Sequence, residues 1–164
     1  MINFEIQKEL KNKWNEFKDY FKNINSEMPN YATNRVTIRG NKKYIDEIVG
    51  EEFCFKNSVP PPQENDMSWC IYNWGVKWDA IDVVVRELDK NKGVQIDFTT
   101  AWNPPKVWIE KVIEKYPKCS FTLIYIDGEW PKCGKISGRK GEVQVIKEYE
   151  NAREASSFRE RNFK

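Results

Sequence analysis

Residues Trp69–Ala80 read WCIYNWGVKWDA, and this stretch decides the fold. It holds three of the seven tryptophans of the chain, so it supplies much of the large apolar surface that a core requires. It runs directly into IDVVVREL, whose β-branched residues are typical of a strand. We therefore expect it to lie at the structural centre of one small α+β domain that works by binding rather than by catalysis.

The chain after this stretch reads as a hairpin, a helix and a further strand. DKNKG is a turn in which Gly93 permits a positive φ, and VQIDFTTAW returns as the second strand of the hairpin. Asn103 is expected to supply the cap oxygen of a helix that ends before Pro117. CSFTLIYID then predicts another strand.

The chain before this stretch begins with a strand and a short helix. NRVTIRG places Val36 and Ile38 on one face, and NKKYIDEIVG predicts a helix that stops at Gly50. Phe53 and Phe55 are expected to point inward from an extended piece that leads to a three-proline turn. The order β-α-loop-β-β-α-β predicts a ferredoxin-like antiparallel sheet with helices on one face.

The N-terminal residues 6–24 predict an amphipathic helix. Its large apolar side chains recur at spacings of four, three, four and three, so they share one stripe. Exposing such side chains costs ~1.5–3 kcal/mol each, so the stripe must be covered. The domain core can cover it, and so can another protein or a second copy in a homodimer. The stripe consists of Leu10, Trp14, Phe17, Phe21 and Ile24.

These elements predict three parts of the chain. Residues 1–30 form the N-terminal amphipathic helix and a connector, and residues 31–146 form the ferredoxin-like α+β domain. Residues 147–164 form a C-terminal helical tail with a weaker apolar face and alternating charges.

Five motifs, in order along the chain, resemble those of the YubB-type ferredoxin-like proteins, which occur mostly in phages, plasmids and the bacteria that carry them. The motifs are NRVTIRG, FCFKNSVPPP, WCIYNWGVKWDA, FTTAWNPP and YPKCSFTLIYIDG. The Trp-Gly-x-Lys-Trp and Thr-Ala-Trp elements are the most specific, although Val76 stands where threonine is more usual. The resemblance covers Asn34 to Ile146 and implies a fold and a mobile-element origin, without an established activity.

Composition excludes several classes of function. The chain has 27 basic and 25 acidic residues, a balance that argues against a protein coating nucleic acid through excess positive charge. It has no histidine, so it has no Ser-His or Cys-His pair and no zinc site that needs imidazole. We predict no catalytic residue, no metal and no cofactor. The cysteines, which lack the paired spacing of zinc sites and are expected to be buried thiols, are Cys54, Cys70, Cys119 and Cys133.

The sequence also predicts a cytoplasmic protein. It contains no run of about 18 apolar residues, the length needed to cross a membrane. Its first ten residues, MINFEIQKEL, carry charges from the fifth residue onward and do not read as a signal peptide.

The tryptophans are the first candidates for a binding site. Clustered aromatic side chains can anchor a protein interface or stack the bases of single-stranded nucleic acid. They can equally form a tryptophan-rich core that supports a long loop. Lys77 lies between two tryptophans in sequence, which favours a cation–π contact. The candidate residues are Trp69, Trp74, Lys77, Trp78 and Trp102.

A glycine-rich stretch supplies a second candidate, a flexible basic loop that could follow a phosphate backbone. Arg35 and Arg39 would add to it if they share its sheet face, and a solvated loop is the alternative. Three carboxylates, Asp79, Asp82 and Asp97, could hold Mg²⁺ in a metal-dependent enzyme, although solvated charge is their ordinary role. The basic candidates are Lys132, Lys135, Arg139 and Lys140.

The leading hypothesis is a non-enzymatic binding protein of a mobile genetic element. Its concrete form is a phage-encoded inhibitor of a bacterial defence system, anti-CRISPR-like, that acts by contact with a host or phage protein. The alternative is a single-stranded nucleic-acid-binding protein that uses tryptophan stacking and the basic loop. A metal-dependent enzyme is the third hypothesis.

Overall fold

The computed structural model describes residues 30–64, 66–88 and 92–163. The predicted helix over residues 6–24 lies outside the described residues, and so do its apolar stripe and the homodimer predicted through that stripe. The strands are β1 (Tyr31–Gly40), β2 (Ile81–Glu87), β3 (Gly93–Ala101), β4 (Cys119–Ile126), β5 (Cys133–Arg139) and β6 (Glu142–Tyr149). The helices are α1 (Lys42–Val49), α2 (Met67–Trp74), α3 (Lys106–Lys115) and α4 (Ala152–Asn162), and a 3-10 turn spans Phe55–Asn57.

The six strands form one antiparallel sheet in the order β2-β3-β1-β4-β5-β6. The first four strands have the ferredoxin-like arrangement, in which β1 lies between β3 and β4. Each connection that contains a helix passes over one strand, so β1 leads to β2 across β3, and β3 leads to β4 across β1. The hairpin of β5 and β6 extends the sheet beside β4. The predicted α+β class and ferredoxin-like antiparallel sheet are therefore confirmed.

The main core lies on the sheet face that carries Val36 and Ile38, under the first three helices. Its centre is Phe55, whose ring centroid lies 4.8 Å from that of Trp108, 5.6 Å from that of Trp74 and 5.7 Å from that of Phe98. Edge-to-face and tilted aromatic contacts at such distances stabilise beyond the burial of apolar area. The short turn at Phe55 thus fastens α2, α3 and β3 together.

The fourth helix covers the opposite sheet face. Ile124 and Cys133 point away from the main core and are buried against Ala155 and Phe158 of α4. The Arg35 guanidinium donates to the carbonyl of Asn162 and so anchors the end of this helix to β1. The C-terminal helix is therefore part of the fold rather than a solvated extension.

Strand β2 forms one edge of the sheet and is interrupted. Its register with β3 shifts between Ile81 and Val84, and within this bulge Asp82 has a φ of 52°. Asp82 accepts a hydrogen bond from the Thr99 hydroxyl, which holds this left-handed conformation. Val84 and Val85, beyond the bulge, are exposed.

The prediction that the basic candidates lie in a flexible loop is wrong, because the glycines of this stretch permit close packing instead of flexibility. The stretch contains strand β5, and a Cβ on Gly134 would lie 2.4 Å from the carbonyl oxygen of Lys147 in β6. A Cβ on Gly138 would lie 2.7 Å from a side-chain carbon of Ile113 in α3. Glycine therefore permits the close approach of backbone and helix at both positions.

Three local predictions also need correction. The helix expected from Lys147 onward begins at Ala152, because β6 continues through the proposed domain boundary after residue 146. Asn103 is not the cap of α3, since the cap position is Pro105 and no side chain bonds there. Phe53 and Phe55 are buried as expected, but Phe55 begins a 3-10 turn instead of an extended piece.

Replacing Phe55 tests the aromatic centre of the core. Phe55→Ala should lower the free energy of unfolding by ~3–5 kcal/mol, because it leaves a cavity among three other aromatic rings. Urea unfolding followed by circular dichroism measures the loss, and Phe55→Leu should show a smaller loss of the same sign. Tyr72→Ala, at a side chain that is 79% exposed, is the control and should stay within ~0.5 kcal/mol of the unmodified protein. A Phe55→Ala variant as stable as this control would contradict the assignment.

Candidate functional site

Helix α2 is the first half of the stretch WCIYNWGVKWDA, and its ends are marked in the sequence. The Asp66 side chain accepts a hydrogen bond from the Trp69 N–H at 2.9 Å, which caps the first turn. Gly75 ends the helix with a φ of 82°, and its N–H donates to the Ile71 carbonyl. Glycine adopts this left-handed conformation without the steric cost of a side chain.

One face of α2 is buried, and the other is apolar and exposed. Cys70 and Trp74 enter the core, where the Trp74 indole N–H donates to the Val59 carbonyl at 2.9 Å. On the outer face Met67 is 50% exposed, Ile71 47% and Tyr72 79%. Trp78, which is 37% exposed, lines the same cavity as Met67. The α2 surface is defined here as Met67, Ile71, Tyr72 and Trp78.

Asp79 holds the segment after α2 against the turn at Phe55. Its Oδ1 accepts hydrogen bonds from the N–H groups of Phe55 at 2.6 Å and Ala80 at 2.8 Å. Its Oδ2 accepts a longer bond of 3.4 Å from the Lys56 N–H. Burial raises the pKa of this carboxyl above its usual value, and the three backbone hydrogen bonds oppose that rise only in part.

A cavity of about 330 Å³ opens beside Asp79 within the α2 surface. Its apolar walls come from α2, the proline turn and Trp78. Its charged groups come from the turn at Phe55, the loop before α2 and the segment after α2. The lining residues are Lys56, Pro61, Glu64, Met67, Cys70, Trp74, Lys77, Trp78 and Asp79.

Trp102 lies next to this site in a constrained backbone conformation. Its φ is 57°, and its N–H and carbonyl bond to Asn30 at 2.7 Å and Gly128 at 2.9 Å. The Lys77 ammonium lies 3.8 Å from the centroid of its ring, so the cation–π contact of Lys77 is with Trp102 and not with either tryptophan that flanks it in sequence. The ring centroids of Trp78 and Trp102 are 6.4 Å apart. The two side chains extend the aromatic surface toward the end of the sheet.

The predicted tryptophan set is thus divided between core and surface. Trp74 is 2% exposed and belongs to the core. Trp69 is half-buried and meets Trp74 edge-to-face at 5.5 Å. Trp78 and Trp102 keep part of their surface in solvent. Of the four candidates, these last two are placed to contact a ligand.

The predicted basic residues do not join the tryptophans. Arg139 and Lys140 lie at the end of the sheet where β1 finishes, whereas Trp102 lies where β1 begins. A strand of 10 residues spans about 30 Å, so Arg139 and Lys140 lie about that far from Trp102. Lys132 is paired with Glu129 at 3.0 Å, and Lys135 is half-buried in β5.

Arg139 and Lys140 instead meet two other cations. Arg39 and Arg139 share a sheet face, because each pairs with Ser120 from opposite sides of β4. These two arginines, Lys118 and Lys140 line one open depression, and no carboxylate of the described residues lines it. The basic patch is defined here as Arg39, Lys118, Arg139 and Lys140. Arg35 does not belong to it.

The three candidate carboxylates serve separate local roles. Asp97 accepts hydrogen bonds from Arg35 at 2.6 and 3.0 Å and from Arg86 at 2.5 Å. Asp82 is held by Thr99 in the bulge, and Asp79 lies in the cavity of the α2 surface. Among residues 30–64, 66–88 and 92–163, no cluster of three or more acidic or cysteine side chains is arranged to hold a metal ion. Over the same residues, no helix has the length and apolar character to cross a membrane.

The cysteines are free thiols. Cys70, Cys119 and Cys133 are buried, and Cys54 is half-buried with its Sγ 3.1 Å from the Asn57 side chain. Burial raises the pKa of each thiol, which keeps them in the unreactive protonated form.

Sequence reasoning missed Met67, Ile71 and Tyr72 as surface residues. The signals for a helix were present in the cap at Asp66 and the stop at Gly75, nine residues apart. The intervening MSWCIYNW is apolar almost throughout, so its periodicity does not indicate which side faces water. The pairing of Arg39 with the β5 cations depends on strand order, which residue spacing alone does not supply.

Fold and site together define a ferredoxin-like α+β domain with an exposed apolar helix. A family model described as the ferredoxin-like domain in Api92-like protein matches residues 73–163, and the chain belongs to this family. Among solved structures, the crystal structure of a protein api92 from Yersinia pseudotuberculosis is 15% identical to the chain, with a TM-score of 0.44. The similarity covers 52% of this chain and 30% of that one, so the chain spans less than a third of its length. No curated protein matches the sequence.

The Asp97 network gives a pH-dependent prediction. Burial alone would raise the pKa of Asp97, but the hydrogen bonds from Arg35 and Arg86 outweigh it and hold the pKa below its usual value. A lowered pKa in the folded state stabilises the protein above the unfolded pKa of about 3.9, and this contribution is lost as the pH falls through the folded value. Asp97→Asn should therefore lower the free energy of unfolding by about 1–2 kcal/mol at pH 7.

The difference in free energy of unfolding between Asp97→Asn and the unmodified protein should decrease as the pH falls below about 4. Urea unfolding at several pH values measures this difference. Asp46→Asn is the control, because Asp46 pairs with Lys42 on an exposed helix face and should cost only about 0.3–0.5 kcal/mol. A loss in Asp97→Asn that is the same at pH 3 and pH 7 would contradict a charge-dependent role.

Proposed function

We propose that this protein is a non-enzymatic protein-binding module whose binding site is the α2 surface. The single observation that carries the proposal is the exposure of four large apolar side chains on α2 and the segment after it, Met67, Ile71, Tyr72 and Trp78, of which Met67 and Trp78 line a cavity. Contiguous apolar surface of this kind marks interaction sites in soluble proteins. The lack of histidine, which removes the common nucleophile-base pairs, supports the non-enzymatic part of the proposal.

The rigidity of the surface also supports a binding role. Trp74 anchors α2 in the core, and the Asp79 hydrogen bonds fix the segment that carries Trp78. A surface already held in its bound conformation loses little entropy when a partner docks. Tyrosine and tryptophan are enriched among the residues that dominate interface energies, so Tyr72 and Trp78 are the expected anchors.

The biological setting that we propose is a mobile genetic element. The resemblance to YubB-type proteins supports this setting, and an inhibitor of a bacterial defence system, anti-CRISPR-like, is its concrete form. Such an inhibitor acts by occupying a surface of a host or phage protein, which a rigid domain with one exposed apolar helix can do without a cofactor or a catalytic group.

Capture of a partner tests the proposal. The full chain, immobilised on resin, should retain one stoichiometric protein from a lysate of a defence-competent bacterial host. The double variant Ile71→Asp/Tyr72→Ser should retain at least about tenfold less, because it places charge and polar groups where the partner buries apolar surface. Glu110→Lys is the control, since Glu110 is exposed on α3 and does not line the cavity of the α2 surface.

A second readout uses the same variants in living cells. Expression of the unmodified chain should raise phage plating on the defence-competent host, and the double variant should lose this effect while remaining folded. Retention of the same partner by the double variant, or no stoichiometric partner at all, would contradict binding through the α2 surface. Partner capture without any effect on plating would reject the anti-defence setting alone.

A second candidate function follows from the basic patch. Arg39, Lys118, Arg139 and Lys140 lie together without a carboxylate in the depression that they line, although the chain as a whole is nearly balanced in charge. Such a patch can neutralise phosphates and release counterions from single-stranded nucleic acid. Tryptophan stacking does not add to this contact, because Trp102 lies at the other end of β1.

Salt dependence tests this second function. The full chain should bind a labelled single-stranded oligonucleotide more weakly as salt rises, as measured by fluorescence anisotropy. Arg39→Glu/Arg139→Glu should weaken binding and reduce the slope of log K against log salt by about 0.7 for each lost phosphate contact. Lys132→Glu, at the end of β5 opposite Arg139, changes the charge elsewhere and should have little effect. Equal losses in the two variants would show nonspecific attraction and reject the patch.

A further inference from the structure

The cavity within the α2 surface contains a carboxylate oxygen with unused hydrogen-bonding capacity. Oδ1 of Asp79 is occupied by two short bonds from Phe55 and Ala80. Oδ2 accepts one bond of 3.4 Å from the Lys56 N–H, which is long for a charged acceptor. Among the described residues, no lysine or arginine forms an ion pair with Asp79. Among the described residues, its negative charge is balanced by three backbone N–H groups and, more weakly, by the nearby charge of Lys56, and no side chain donates to Oδ2.

The other charged groups of the cavity do not supply the missing cation. The Lys77 ammonium is held over the Trp102 ring. The Lys56 side chain is exposed, where water and salt screen its charge. Glu64, which is also exposed, adds a second carboxylate at the rim. The acidic side of the cavity is therefore open toward an incoming group.

The apolar walls complete the chemistry of the site. Met67 and Trp78 line the cavity and keep about 50% and 37% of their surface exposed, so each can cover part of an incoming side chain. The face of an indole ring attracts a cation, and a guanidinium stacks on it through its plane. A carboxylate next to an exposed indole and a thioether matches a planar cation carried on an apolar stem.

We propose that this cavity binds an arginine side chain of the partner protein, with the guanidinium donating to Asp79 Oδ2 and the stem lying against Met67 and Trp78. The inference rests on the proposed function, since it assigns the chemistry of the partner group that enters the α2 surface. A cavity of about 330 Å³ is at the small end of ligand pockets, a size suited to one long side chain. An apolar occupant would bury Oδ2 without a donor, which is unfavourable.

A titration with small molecules tests the assignment on the full chain. The probes are N-acetyl-arginine methylamide, its uncharged citrulline counterpart and the lysine counterpart, each added to protein labelled with ¹⁵N and with ¹³C at the methionine methyl groups. The indole N–H signal of Trp78, assigned with Trp78→Phe, and the methyl signal of Met67 report binding by NMR. The arginine probe should shift both signals saturably, and the citrulline probe should bind at least roughly tenfold more weakly because it lacks the charge.

Variants show how much of the probe binding depends on the Asp79 carboxylate. Asp79→Asn should weaken binding of the arginine probe by at least roughly tenfold, whereas Asp82→Asn, the same change at an exposed residue in the bulge of β2, should leave it unchanged. If Asp79→Asn does not fold, Trp78→Ala provides the test through the Met67 signal, since Trp78 lies at the surface. Equal binding of the arginine and citrulline probes, or of the arginine and lysine probes, overturns the assignment, as does unchanged affinity in Asp79→Asn or Trp78→Ala.

Failure of this inference differs from failure of the proposed function. Ile71→Asp/Tyr72→Ser should abolish partner capture but leave binding of the arginine probe unchanged, because neither residue lines the cavity. Partner capture without probe binding overturns the arginine assignment alone. Probe binding without partner capture supports the cavity chemistry and overturns the proposed function.

Discussion

The carboxylate of Asp79 joins two segments that are 24 residues apart, through its 2.6 Å bond to the Phe55 N–H. That bond fixes the turn from which Phe55 enters the core, where its ring meets those of Trp74, Trp108 and Phe98. The helix that presents the exposed apolar surface is attached to the sheet through these rings. Without the bond, the turn at Phe55 and the segment after α2 would lose their common anchor, and the surface would no longer be held in one conformation.

The strands of the ferredoxin-like unit could be predicted because alternation and turn residues mark them locally, and their sequence of strands and helices then indicated the fold. Val36 and Ile38 alternate with polar residues in β1, and Gly93 lies where the hairpin turns. The basic stretch was predicted to be a flexible loop because Gly134 and Gly138 indicate flexibility when read alone. Their actual role is to admit the Lys147 carbonyl and the Ile113 side chain, which requires knowledge of the neighbouring elements.

The site was predictable only in part, for a related reason. The sequence located the tryptophans and predicted a cation–π contact of Lys77, since these residues are chemically distinctive, but it did not identify Trp102 as the ring that Lys77 contacts. It did not separate the buried Trp74 from the exposed Trp78, because both have the same side chain and differ only in which elements pack over them. Burial depends on the tertiary arrangement, and a stretch that is apolar on every side carries little information about it.

The bulge at Asp82 has a consequence for behaviour at high concentration. An edge strand offers unpaired N–H and carbonyl groups to the strands of other molecules, and exposed valines such as Val84 and Val85 favour such pairing. The register shift and the left-handed backbone of Asp82 break the regular spacing of those groups, so a second chain cannot align along the whole of β2. The same irregularity that shortens the edge therefore acts against aggregation and helps the protein to remain monodisperse while its apolar helix is exposed.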